Sequence, residues 1–313
     1  MRLGPGMEGD HQVARTGNRR MIVAAVLAVC TIGLGVRAAE LSAPAETVVA
    51  AETGAVPRTP VRIAYAAAAD TFGDLYLPPT SHTRLPVVVL IHGGGWAQNR
   101  GLGQFDAHAR ALAADGVAVW NIEYRRVGGE GGWPTTLTDV AAAVEALAET
   151  VAPSVGHLLD LQRVHIAGHS AGGQLAAWVA GRQANNDPRL RIRSLTLMAA
   201  VLDLELAVTE GRDAFVPKLL GGTPAEVPGR YHVASPIHQL PAPGLRVTAL
   251  HGDLDRVVAP VQSRRYVDAL RRTDIEADLQ ILPAVGHAEF ADATTTAWNA
   301  ARRSIIGHAT AAG

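Results

Sequence analysis

Cysteine is nearly absent from this sequence: Cys30 is the only one among 313 residues. An intramolecular disulfide, a zinc cluster built on thiolates and a cysteine nucleophile in the folded part are thereby excluded. Lysine is equally scarce, with Lys218 standing alone, so arginine supplies nearly all of the 28 basic residues. That bias reads as GC-rich coding rather than phosphate recognition. The 28 basic and 29 acidic side chains leave a net charge of -1, which gives nucleic acid no electrostatic foothold. No H-E-x-x-H motif occurs, which disfavours metal-dependent hydrolysis. What is plentiful is apolar side chain, 48% of the total, enough for a sizeable core and incompatible with a mostly disordered chain.

The N-terminus has the grammar of an export signal. Arg15, Arg19 and Arg20 precede an apolar run over 21–36, and small residues follow at Ala38-Ala39 and Ala43-Pro44-Ala45. The run includes Gly33 and Gly35 and is short for a bilayer span of about 20 residues. Residues 1–45 are therefore expected to be a signal peptide, with an uncleaved membrane anchor as the alternative. Asn18-Arg19-Arg20-Met21 is a loose twin-arginine match, which points to export of a folded protein to the periplasm or the exterior. Residues 46–59 read as a polar, proline-containing linker, and 60–313 as one α/β domain.

Within that domain strands and helices alternate. Two short strands are expected at 61–65 and 71–77, then a β-branched buried strand at 87–92, a helix at 105–115, a strand at 117–123 and an alanine-rich helix at 137–150. Further strands follow at 164–167, 195–200, 245–251 and 278–282, with helices at 172–181, 260–271 and from about 291. The stretch up to Pro243 is expected to be irregular. Such alternation predicts a mainly parallel sheet covered on both faces, with ligands at the carboxyl ends of its strands.

Four segments sit at such strand ends. Gly168-His169-Ser170-Ala171-Gly172 is a G-x-S-x-G turn between a strand and a helix, the context that lifts a serine hydroxyl out of a sheet and onto a helix N-terminus. His92-Gly93-Gly94-Gly95-Trp96 exposes backbone N–H groups that no side chain shields. With the N–H of Ala171 these could bind an oxyanion, at roughly 3 kcal/mol per donor. His251-Gly252-Asp253-Leu254-Asp255 offers an acid to orient a histidine. Asp255 is the preferred residue, Asp253 and Asp203 are competitors, and Asp253 is expected to cap the following turn. Gly286-His287 supplies the histidine, which completes the chain order Ser170, Asp255, His287. His308, near the end of the chain, is the poorer alternative.

These residues, together with Glu123-Tyr124-Arg125, Trp133-Pro134 with Asp139, and Ser235-Pro236, give a chain that resembles the α/β-hydrolase superfamily. The resemblance is to its single-domain esterases of the hormone-sensitive-lipase, feruloyl-esterase-like and kynurenine-formamidase-like kind, and it runs from about residue 60 onward. It implies an α/β-hydrolase fold with a short cap insertion over 203–243. Ser170 is implied as nucleophile, His287 as general base and then acid, Asp255 as orienting acid, and Gly93, Gly94 and Ala171 as oxyanion donors. Tyr124, Arg125, Pro134 and Asp139 are implied to be structural. Trp96 and Trp133 are candidates for lining a pocket, an exposed or core-packing role being at least as favoured, and 127–132 is expected to be a mobile loop near the site. The implied activity is hydrolysis of a small-molecule carboxylic ester through an acyl-enzyme, with no metal or organic cofactor. An arylformamidase or other amidase, an acylaminoacyl-peptidase-like exopeptidase and a non-catalytic binding module are the alternatives.

Overall fold

A short antiparallel pair opens the sheet: β1 (Val61–Ala64), half-buried and exposed by turns as an edge strand is, and β2 (Phe72–Tyr76). The next strand, β3 (Leu85–Ile91), is buried at every position, the pattern of an apolar run covered on both faces. In the computed structural model, the described residues are 59–79, 83–156, 158–183, 188–210 and 214–311. The expected signal segment 1–45, and all of the linker 46–59 except Thr59, lie outside them.

From β3 the chain alternates as the sequence suggests. Helix α1 (Asp106–Ala114) leads to β4 (Ala118–Ile122), and α2 (Thr135–Ala146) runs on through a π turn (Leu147–Val151) into the single turn α3 (Ala152–Ser154). Then come β5 (Leu159–His169), α4 (Ala171–Gln183) and β6 (Ile192–Met198). After an insertion, β7 (Arg246–Gly252), α8 (Val261–Arg271), β8 (Glu276–Leu282) and α9 (Thr296–Thr310) complete the fold. The eight strands lie in the order β1-β2-β4-β3-β5-β6-β7-β8. The pairs β1/β2 and β2/β4 are antiparallel and the rest parallel, the architecture of an α/β-hydrolase.

Period-two alternation divides each central strand between two cores. Val87, Val89 and Ile91 of β3 face one, with residues of α2, α4, α8 and the insertion. Val88 and Leu90 face the other, with α1 and α9. Helix α8 shows the corresponding helical period: Gln262, Ser263, Tyr266, Val267 and Leu270 are buried while Arg264, Arg265 and Asp268 are exposed.

Three differences from the sequence expectations have local causes. β5 starts earlier than 164, because Leu159 and Asp160 pair with Leu85 and Pro86 before a register shift, and their polar neighbours hide this pairing from a hydrophobic pattern. The last helix begins at Thr296 rather than near 291, since Thr295 caps it by accepting the Trp298 N–H (3.1 Å), and 288–291 form a 3-10 turn instead. The stretch expected to be irregular holds three short helices, α5 (Leu204–Thr209), α6 (Val216–Leu220) and α7 (Pro228–Ala234). Gln262 of α8 ties its start to the core, accepting the N–H groups of Leu202 (2.9 Å) and Asp203 (2.7 Å). Among the described residues no helix is long and apolar enough to cross a membrane.

The carboxyl ends of β3 and β5 meet at Gly172, where a Cβ would overlap the carbonyl oxygens of Ile91 and His92. Gly172→Ala is expected to cost about 2 kcal/mol or more in urea denaturation, as overpacking against backbone does. Gly307→Ala, on α9 with nothing within 4 Å of the added methyl, should instead stabilise by about 0.5–1 kcal/mol. Equal effects at the two positions would contradict the crossing described.

Candidate active site

β5 ends at His169 and α4 begins at Ala171, so Ser170 alone reverses the chain. It does so at φ +54°, a left-handed conformation that costs a non-glycine residue about 1–3 kcal/mol. Neighbouring backbone holds it there. The Ser170 N–H donates to the Met198 carbonyl (2.9 Å), and the Ser170 carbonyl accepts from Gln174 N–H (3.1 Å) and Val201 N–H (3.4 Å). The side chain stands at the N-terminus of α4, where unpaired N–H groups favour negative charge.

The loop after β3 passes directly over this serine. A Cβ on Gly93 would lie 2.7 Å from the His169 carbonyl oxygen and 3.2 Å from Ser170 Cβ, so only glycine permits the approach. Gly94, Gly95 and Trp96 all have positive φ, at +107°, +63° and +54°. His92 donates from Nδ1 to the Gly93 carbonyl (2.8 Å). That bond fixes the peptide whose other end is the Gly94 N–H. Among the described residues, no hydrogen bond is donated by the N–H groups of Gly93, Gly94 or Ala171, and unbonded backbone donors are the kind of group that can receive an anionic oxygen.

A buried ionic network sets the loop's path. Glu123 Oε1 accepts from His92 Nε2 (2.8 Å), Arg126 (2.6 Å) and Tyr124 N–H (3.0 Å), and Oε2 accepts from Leu102 N–H (3.1 Å). Burial opposes ionisation of Glu123, but His92, Arg126 and Leu102 outweigh it and hold its carboxyl below the usual value. Tyr124 stacks on His92 at 4.4 Å and donates its hydroxyl to the His92 carbonyl (2.9 Å). Arg125 grips Asp139 through Nε (2.8 Å) and Nη2 (2.7 Å).

On the far side of Ser170, His287 Nδ1 donates to Asp255 Oδ2 (2.8 Å). The other carboxylate oxygen, Oδ1, accepts the N–H groups of Val257 and Val258 (both 2.8 Å). His251 Nε2 also lies 3.3 Å from Oδ2. Burial works against ionising Asp255, but His251, His287 and the Val258 N–H overcome it, so its pKa is well below the ordinary carboxylate range. The His287 ring sits 4.8 Å from the ring of His169, the residue before Ser170. Among the described residues Ser170 Oγ makes no hydrogen bond, and a catalytic hydrogen bond is often long before substrate arrives.

Other candidates fall elsewhere. Asp253 does not cap the turn as expected: it is exposed, and Asp255 accepts the turn's N–H groups itself. Asp203 caps α5, accepting the Leu206 N–H (3.0 Å), and faces Arg265 (3.5 Å). His308 Nε2 lies 2.8 Å from Thr248 Oγ1, toward the amino ends of the strands. Trp96 is 1% exposed and donates Nε1–H to Gln174 (3.0 Å), so it anchors the loop rather than lining a pocket. Val127, at the start of the glycine-rich loop 127–132, is tied to Trp96 (2.8 Å) and Gln98 (2.9 Å) by backbone hydrogen bonds. The sequence reading missed His169 and the support that His251 gives Asp255; both lay inside quoted motifs, but a motif does not say where a ring nitrogen points.

A family model, BD-FAE, matches residues 73–270. The carboxylesterase NlhH of Mycobacterium tuberculosis is 35% identical over 147 residues, 45% of this chain and 43% of that protein. Esterase LipC of the same organism is 31% identical over 217 residues, 64% of this chain and 52% of that protein. The chain thus spans about half the length of the curated relatives it matches. Among solved structures, a truncated carbohydrate esterase from gut microbiota superposes with a TM-score of 0.66 at 21% identity, over 83% of this chain and all of that one. An esterase of Thermogutta terrifontis does so with 0.63 at 19% identity, over 78% of this chain and 89% of that one.

Burial depresses the histidines under and behind the site: His108 to about 4, His169 to about 3, and His165 and His308 in the same direction. Their folded pKa values lie below the unfolded one, near 6.5. Between these limits the unfolded chain binds protons that the folded chain does not. Their contribution to stability is therefore complete above about pH 6.5 and lost as pH falls, and the melting temperature should rise from about pH 4 to pH 7 and then level off. A flat or falling profile over that range in calorimetry would refute it.

Proposed function

This chain belongs to the BD-FAE family and has the α/β-hydrolase fold, and from that premise we propose that it is a serine esterase that cleaves small-molecule carboxylic esters through an acyl-enzyme. The observation that carries the reading is the grouping of Ser170, a His287–Asp255 pair held at 2.8 Å and the N–H groups of Gly93, Gly94 and Ala171 at one edge of the sheet. His287 Nε2 accepts the Ser170 proton as Oγ attacks the ester carbonyl, while Nδ1–H stays on Asp255. The backbone donors hold the oxyanion. Collapse expels the alcohol, which takes the proton from His287, and water activated by the same imidazole releases the acid and restores the serine.

Asp255 suits this role because its second oxygen is occupied by the Val257 and Val258 N–H groups, which fix the carboxylate plane facing the imidazole. The exposed large hydrophobic residues Phe215, Leu254 and Val257 fall beside Gly95 and Asp255, which favours an apolar group on the substrate. The curated relatives named as carboxylesterase and esterase support the same chemistry. Residues 1–45 support export to the periplasm or the exterior; fractionation of cells carrying the full chain, against a form lacking 1–45, checks this, and equal distribution of the two would count against it.

Initial rates on p-nitrophenyl esters from acetyl to dodecanoyl test the activity, and the chain-length optimum sizes the apolar subsite. Ser170→Ala should abolish turnover and labelling by a fluorophosphonate. Asp255→Asn should lower kcat by about ten-thousand-fold, as loss of the orienting carboxylate does elsewhere, while Asp253→Asn should stay within about twofold of wild type. Turnover of N-formylkynurenine or aminoacyl anilides in preference to every ester would replace the esterase reading with an amidase or exopeptidase one. Failure of all substrates and of the probe would leave a binding module.

A further inference from the structure

Among the buried titratable groups to which the mechanism gives no task, one stands next to the nucleophile. His169, between the last apolar residues of β5 and Ser170, directs Nε2 at the backbone carbonyl of His287 (3.0 Å). A carbonyl only accepts, so Nε2 carries the proton and Nδ1 carries none. Nδ1 is buried with no hydrogen-bond partner among the described residues, against Gly93, whose added Cβ would come within 3.0 Å of it. An unpaired buried polar atom costs about 1–3 kcal/mol. A residue that merely filled this space, between Phe105 at 6.4 Å and Phe290 at 6.2 Å, would do better as an apolar side chain.

We propose that His169 is a positioning residue for His287: its Nε2–H bonds the turn that carries the nucleophile directly to the segment that carries the base. Ser170 is the next residue along the chain. One peptide bond and one hydrogen bond therefore join serine to the histidine backbone, whereas the path through the sheet crosses β6, β7 and β8. The segment is held again three residues on, where His108 of α1 directs its Nε2 at the Phe290 carbonyl (3.2 Å). Burial keeps both rings uncharged, so neither opposes a positive charge that forms on His287 during turnover.

This inference rests on the proposed serine mechanism, and its test separates the two. Glutamine places an amide N–H where His Nε2–H lies, asparagine places one nearer Nδ1, and leucine supplies none. His169→Leu and His169→Asn should lower kcat on p-nitrophenyl acetate by about tenfold to a hundredfold, the scale of a small misplacement of a reacting group, with KM within about twofold. His169→Gln should stay within about threefold of wild type. Equal kcat for the glutamine and asparagine variants, or an unchanged kcat in a folded leucine variant, would overturn the proposal; the amide pair decides alone if the leucine variant does not melt cooperatively. A second readout needs no turnover. The downfield proton resonance of the His287 Nδ1–H to Asp255 bond should be sharp in wild type and His169→Gln and broadened in His169→Asn and His169→Leu, and equal sharpness in all four refutes the positioning role. Wild-type turnover independent of Ser170 would instead remove the serine mechanism and leave the resonance to judge the hydrogen bond.

Discussion

Everything at the carboxyl edge of this sheet depends on backbone meeting backbone without side chains between. Helix α4 leaves β5 so abruptly that Gly168 and Gly172 lie against one another, and Gly172 in turn lies against the last carbonyls of β3. That crossing forces Ser170 to positive φ and brings the loop of Gly93 over it. Strain on one residue is tolerable because its N–H and carbonyl are both bonded to neighbouring backbone. The N–H groups of Gly93, Gly94 and Ala171 donate no hydrogen bond among the described residues.

Much of this was legible in the sequence because the relevant residues are glycines, apolar runs and a chain order. β3 announces itself through the apolar run from Val87, and Gly168, Ser170 and Gly172 locate a turn whose geometry admits few other residues. Asp255 and Asp253 illustrate the limit. Both lie in the same loop, and only the fold shows that one carboxylate caps the turn and faces the imidazole together, one oxygen for each. A rule that assigns one acid per task divides the two roles wrongly. Trp96, left open in the sequence between pocket and core, is settled as core only once Gln174, 78 residues away in the sequence, is seen to accept its N–H. The insertion was legible as an interruption of alternation but not as three helices, each too short to show a periodic face.

The charges around the site follow a simple division. The buried carboxylates Glu123 and Asp255 are each surrounded by donors that favour ionisation, whereas the buried histidines His108 and His169 meet backbone carbonyls and aromatic rings and stay neutral. Desolvation penalises both kinds of group. For the carboxylates it is outweighed, chiefly by side-chain partners, His92 and Arg126 at Glu123 and His251 and His287 at Asp255, with a backbone N–H adding to each.

The scarcity of lysine has a practical consequence. Lys218 is exposed on α6, with its ammonium 5.6 Å from the Phe215 ring, and that ring covers Gly95 of the loop above Ser170. Apart from the α-amino terminus, an amine-selective dye has one side chain to react with in the whole chain. The natural sequence thus carries its own single-site labelling handle, beside the ring that lies against the glycine loop after β3, with no engineered residue required.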